Sequence, residues 1–158
     1  MTEDDHRHLR RAIALSLQGV QDGDGGPFGA LVVKGGEVVA EGNNRVLADA
    51  DPTAHAEVVA IRRACAALGD FKLEGAVLYT SCEPCPMCLA AAYWSRVDRI
   101  VFAAGREDAA AVGFDDAFFY DELPLPIDQR SIPTSQQLRD EALAAMRAWD
   151  EKDDKTPY

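Results

Sequence analysis

The sequence predicts a layered α/β sandwich from three observations: a glycine turn between β-branched arms, two further apolar runs of strand length, and helix-forming segments placed around them. Leu9, Ile13, Leu17 and Val20 recur at helical spacing ahead of "DGDGGPFG", which predicts a first helix over about residues 5–19. "ALVVK" and "EVVAEG" flank Gly35 and Gly36, the pattern of a tight hairpin, and give strands one and two. Pro52 and Thr53 precede "AHAEVVAIRRACAALG", a second helix expected to be capped by Thr53 and stopped by Gly69. "AVLYT" is a third, buried strand. A third helix follows over about residues 84–95, with proline tolerated in its first turn, and "RIVFAA" is a fourth strand. Beyond Gly105 the pattern weakens until Leu138, Ala142, Ala145, Met146 and Trp149 share one face of a last helix. The expected organisation is a core over 1–133 and a C-terminal helix and tail over 134–158, joined by the proline-bearing "LPLPIDQRSIP".

Composition narrows the class of function. A chain of 158 residues suits one domain with a core of its own. Its 16 basic against 27 acidic residues give a formal net charge of −11, a field that repels a phosphate backbone and argues against nucleic acid as partner. No apolar run approaches the roughly 20 residues of a membrane span, and "MTEDDHRHLRRA" lacks the pattern of a secretory signal, so no membrane partner and a cytoplasmic location are expected. Three of the four cysteines fall at 82, 85 and 88, which favours thiolate chemistry over a disulfide framework.

Cys85 and Cys88, three apart at a helix start, lie on adjacent turns where free N–H groups and the helix dipole favour thiolates. Such a pair chelates a soft cation, zinc first of all, although a redox dithiol has the same spacing. His55 sits in the first turn of the preceding helix. Two helices entering from one sheet edge bring their N-termini together, so His55 joins the thiolates. Glu57, two residues on, leans over the same pocket without being a ligand. Cys82 ends the third strand, off the face of Cys85 and Cys88, and is read as a packing residue; a closed four-ligand site including it is the structural alternative. His6 and His8 are expected in solvent and Cys65 in the core.

"HAE" at 55–57 followed by "PCPMC" at 84–88 resembles the cytidine deaminase-like zinc superfamily. "GGPFGALVVKGGEVVAEGNN", "LYTSCEPCPMCLAAAYWSR", "AAAVGFDDAFFY" and the final Tyr narrow the resemblance to its bacterial guanine deaminase branch. The resemblance implies a three-layer α/β/α sandwich with a mixed central sheet and helices on both faces. It also implies one zinc per chain held by His55, Cys85 and Cys88, with the fourth position open to a water that zinc activates as hydroxide. Glu57 would shuttle protons. For a purine-base substrate it implies Phe28 as a stacking face, Asn44 as a reader of the purine edge, and Asp116, with Asp115 its alternative, as acceptor for the donors beside the reacting carbon. Trp94, on the third helix, is read as a core residue, with a pocket wall as its alternative role. Tyr158 would reach over a partner's pocket in a domain-swapped homodimer. Deamination of cytosine, a triazine or adenine in tRNA is the neighbouring reading. A structural zinc module without turnover is the reading from another class, and Glu57 would be unnecessary to it.

Overall fold

Ala30 and Val32 leave one face of β1 (Gly29–Lys34) and Leu31 and Val33 the other, and all four are buried, so this strand requires cover on both sides. In the computed structural model, which describes residues 2–157, that cover is helical. On one face α1 (Glu3–Asp22) sets Leu9 and Ala12 against Leu31, Val33, Tyr79 and Val101. On the other, α2 (Ala56–Leu68) and α3 (Pro86–Ser95) pack Ala56, Ala60, Ala64 and Ala92 against Ala30, Val32 and Leu78. The sheet between them runs β2 (Glu37–Asn43), β1, β3 (Ala76–Cys82), β4 (Arg99–Ala104). It is mixed, as expected: β1 is antiparallel to both neighbours and β3 is parallel to β4. Gly35 and Gly36, at φ of 61° and 86°, make the hairpin turn that a β-branched residue would resist.

This order has a directional consequence. Because β2 and β3 are each antiparallel to β1, they run the same way, and β4 runs with them. The segments that leave β2, β3 and β4 therefore all emerge at one edge, where the segment entering β1 also arrives. Ligand sites of open α/β sheets form at such carboxyl ends.

Several local expectations need correction. The first helix is longer at both ends, because Thr2 and Asp5 form a reciprocal capping box and Gly23 ends it at φ 75°. Its buried face is Asp5, His8, Leu9, Ala12, Ser16 and Gly19, whereas Ile13, Leu17 and Val20 are exposed. Small residues win that face because α1 lies close to β1; a Cβ on Gly29 would stand 2.2 Å from the Ala12 carbonyl oxygen. His8 is thus buried, its ring centroid 4.9 Å from that of Tyr79. Thr53 does not cap α2: its hydroxyl donates to Asp51 at 2.7 Å, and His55 occupies the N-cap. Likewise α3 begins after Cys85, two residues later than expected. Cys65 is half-buried beside the core.

After β4 come α4 (Arg106–Ala111) and a break between two compact units, at Asp116/Ala117. The second unit contains α5 (Ala117–Glu122), a short 3-10 turn at Ile127–Gln129 and α6 (Arg139–Asp150). The proline-bearing stretch closes on itself, with Arg130 donating to the Leu125 carbonyl, and is tied to α5 by Ser131 donating to the Glu122 carboxylate. Among the described residues no helix is long and apolar enough to cross a membrane.

One buried charge ties α1 to the sheet. Asp5, 1% exposed, accepts from Arg99 Nη2 at 2.6 Å, the Tyr79 hydroxyl at 2.7 Å and the Thr2 N–H at 2.8 Å. The Arg99 hydrogen bond, then those from Thr2 and Tyr79, hold the Asp5 carboxyl well below the usual carboxylate range. A carboxyl depressed on folding contributes stability above its unfolded pKa and loses it as pH falls. Asp5→Asn is therefore expected to lower the urea midpoint at pH 7, with a deficit that shrinks below about pH 4. A deficit equal at pH 7 and pH 3 would place the loss in geometry rather than charge.

Candidate zinc and catalytic site

His55 is the N-cap of α2, Cys85 is the N-cap of α3, and Cys88 lies in the first turn of α3. Neither side chain makes a capping hydrogen bond, and both point into the space between the two helix starts. There His55 Nδ1 lies 3.6 Å from Cys85 Sγ and 3.5 Å from Cys88 Sγ. All three donor atoms fall within 4.8 Å of one another, and among the described residues no other group of three His, Cys, Asp or Glu side chains converges so. A tetrahedral zinc with Zn–S of about 2.3 Å and Zn–N of about 2.0–2.1 Å sets S and N about 3.6 Å apart. The site fits.

Its electrostatics also call for a cation. The Cys88 hydrogen bond, opposed by burial and aided by His55, draws the Cys85 thiol down to about 4, while the same pairing and burial push Cys88 up. Two adjacent sulfurs, one half-buried and one buried, resist carrying two negative charges, and a bound divalent ion removes the conflict by deprotonating both. The Cys85 thiolate in turn raises the pKa of His55.

Glu57, 5% exposed in the first turn of α2, has its carboxyl pushed up chiefly by burial and also by the nearby Cys85 charge. Cys82 points elsewhere: its Sγ lies 3.6 Å from the Gly105 carbonyl oxygen, and burial raises its thiol to about 11. Asp116 is half-buried; burial raises its carboxyl, Arg106 opposes, and the Cys85 charge adds to the rise. Asp115 beside it is exposed. Phe28, half-buried, meets Phe114 edge-on with centroids 5.0 Å apart. Asn44 is buried, its Oδ1 accepting from the N–H groups of Val46 at 3.1 Å and Gly26 at 3.2 Å. Trp94, expected in the core, is instead 65% exposed on α3, and Tyr158 lies outside the described residues.

Residues 2–104 match the family described as the cytidine and deoxycytidylate deaminase zinc-binding region. The chain belongs to this deaminase family. Zinc is its cofactor, in agreement with the donor set. Among relatives of this deaminase, guanine deaminase of Bacillus subtilis is 51% identical over 150 residues, 95% of this chain and 96% of the relative. The X-ray structure of guanine deaminase from Bacillus subtilis superposes with a TM-score of 0.95 at 49% identity, covering 100% of this chain and 99% of that one. A tRNA-specific adenosine deaminase of Bacillus subtilis is 41% identical over 104 residues, 66% of this chain and 63% of the relative.

Sequence reasoning proposed the trio of His55, Cys85 and Cys88 and Glu57, and set Phe114 beside the candidate acids, but missed its contact with Phe28 and Gly26. The signal was an aromatic residue two positions before a candidate acid. Metal analysis of single variants tests the trio: Cys85→Ser and Cys88→Ser are expected to lose zinc, whereas Cys82→Ser keeps about one per chain. Zinc loss in Cys82→Ser would favour a closed four-ligand site.

Proposed function

We infer that the protein is a zinc-dependent guanine deaminase, converting guanine and water to xanthine and ammonia. The observation that carries this reading is coverage. Likeness to guanine deaminase runs along 95–100% of the chain at 49–51% identity, whereas likeness to tRNA adenosine deaminases covers at most 80% of it, at 35% identity there. The net charge of −11 speaks against a tRNA surface as well.

His55, Cys85 and Cys88 hold the metal, which when bound supplies Lewis acidity that lowers the pKa of water from 15.7 towards about 7. Glu57 lies beside them, buried. It takes one proton of the water that attacks guanine C2 and delivers it to N3, then takes the proton of the resulting C2 hydroxyl and delivers it to the amine, which leaves as ammonia as the C2=O bond forms. Asp116 faces the N1–H and 2-amino donors of guanine, which an ionised carboxylate accepts; adenine would present an unprotonated nitrogen there. The Asn44 carbonyl is committed to backbone, so its NH2 is the group that meets the acceptors at O6 and N7. Phe28 supplies a stacking face and Trp94 a pocket wall. Thiolate ligands suit a reducing, cytoplasmic compartment.

The second unit completes the site in a homodimer with exchanged tails. The support is α6, which buries none of its residues, and leaves Met146 66% and Trp149 45% exposed. In the exchanged arrangement Tyr158 closes the partner's pocket against water.

Glu57→Ala is expected to keep one zinc while ammonia release from guanine falls about 100- to 10,000-fold. Loss of zinc with activity would make Glu57 a ligand instead. Deleting residues 150–158 is expected to weaken deamination with zinc retained, and co-expression with the Glu57→Ala chain to restore it, because an intact tail then closes an intact site. Heterodimers that form without recovery would assign each tail to its own chain.

A further inference from the structure

Gly25 and Gly26 enter β1 at the sheet edge that carries the zinc site, yet neither is among the residues with positive φ, so backbone conformation does not demand glycine there. Space does. A Cβ on Gly25 would lie 2.1 Å from Asn44 Oδ1 and 3.0 Å from the Asn44 carbonyl oxygen. A Cβ on Gly26 would lie 2.9 Å from Phe114 Cζ and 3.1 Å from Phe28 Cε2. The turn also grips its neighbours through hydrogen bonds: Gly26 N–H donates to Asn44 Oδ1 at 3.2 Å, Phe28 N–H to the Gly26 carbonyl at 2.8 Å, and Asn44 N–H to the Phe28 carbonyl at 2.9 Å.

We propose that Gly25 and Gly26 are positioning residues for substrate selection: Gly25 sets the direction of the Asn44 amide, and Gly26, through the Phe114 ring seated on it, sets Asp116. The inference rests on the guanine reading above. In that reading Asn44 and Asp116 recognise different edges of one rigid ring, so their separation has to match the purine. Both are referred to the same two-residue turn. Phe114 is the link on the acidic side, because it precedes Asp116 by two residues and stands at 87° to Phe28, the stacking face. A side chain at position 25 would displace the amide without touching the metal ligands. One at position 26 would push the Phe114 ring outward and carry the Asp116 segment with it.

The test is a pair of double-mutant cycles. Gly25→Ala is expected to lower kcat/KM for guanine about 10- to 100-fold, as a displacement near 1 Å does, mainly through KM. In an Asn44→Ala background the same change should add no more than about 2-fold. Gly26→Ala should behave alike toward Asp116→Asn, and Phe114→Leu, which shortens the group that the new Cβ strikes, should restore part of its activity. Zinc content stays at one per chain throughout. Where a double variant turns over too slowly to follow, the cycle is read as guanine affinity in the Glu57→Ala background. If Gly26→Ala fails to fold, Phe114→Ala, which introduces no clash, measures the same coupling to Asp116→Asn. Additive losses within the matched pairs, or zinc loss in either glycine variant, overturn the positioning role alone. Undiminished guanine turnover in both Asn44→Ala and Asp116→Asn overturns the substrate assignments and the inference with them.

Discussion

Three chain segments that leave parallel strands and one that enters an antiparallel strand have to share a single sheet edge, and the candidate site is assembled from what they carry. The segment after β2 brings Asn44 and His55, the one after β3 brings Cys85 and Cys88, the one after β4 brings Asp116, and the one before β1 brings Phe28. None of these residues is near all the others in sequence. What makes them neighbours is β1, whose antiparallel pairing on both sides aligns β2 with β3. The helix dipoles follow from the same arrangement: α2 and α3 both begin at that edge, and their N-termini favour the thiolate charge gathered there.

The parts of this design governed by short-range rules were legible in the sequence. Gly35 and Gly36 announced the hairpin, Gly69 the end of α2, and the spacing of His55, Glu57, Cys85 and Cys88 announced the deaminase family, with His55, Cys85 and Cys88 converging as expected. The failures share a cause. Ile13, Leu17 and Val20 form an apolar stripe at helical period, yet the sheet takes the face bearing Ala12, Ser16 and Gly19, because close approach decides which side of α1 packs. His8 followed that choice into the interior. Thr53 looked like a cap, but Asp51 claims its hydroxyl, and the ligand His55 stands in the capping position. Each was a competition between a local preference and a partner distant in sequence.

Close contact between backbones recurs wherever an element has to be placed accurately. Gly42 admits the start of α2, since a Cβ there would stand 2.6 Å from the Ala56 carbonyl oxygen. Gly29 does the same for α1. Interiors packed to crystal-like density tolerate no added methyl at such points without movement of the surroundings. Since Ala56 follows His55, the space left by Gly42 fixes where the histidine ligand begins its reach.

The Asp5 hub has a consequence for how the chain comes to be folded at all. Its partner Arg99 lies 94 residues further along. A ribosome adding about 5 to 20 residues per second needs roughly 5 to 20 s to cover that distance. During that interval the first helix has emerged with a carboxylate whose guanidinium has not been made. Thr2 can already cap the helix, so its start is local, but the charged part of its docking, the Arg99 pair, has to wait for the last strand. Until the strands are made, nascent chains of this protein expose the underside of α1, and on that surface of Asp5, His8, Leu9, Ala12, Ser16 and Gly19 only Leu9 is a large aliphatic side chain. A face so poor in grease gives holdase chaperones little to grip and sister chains little to stick to while the helix waits.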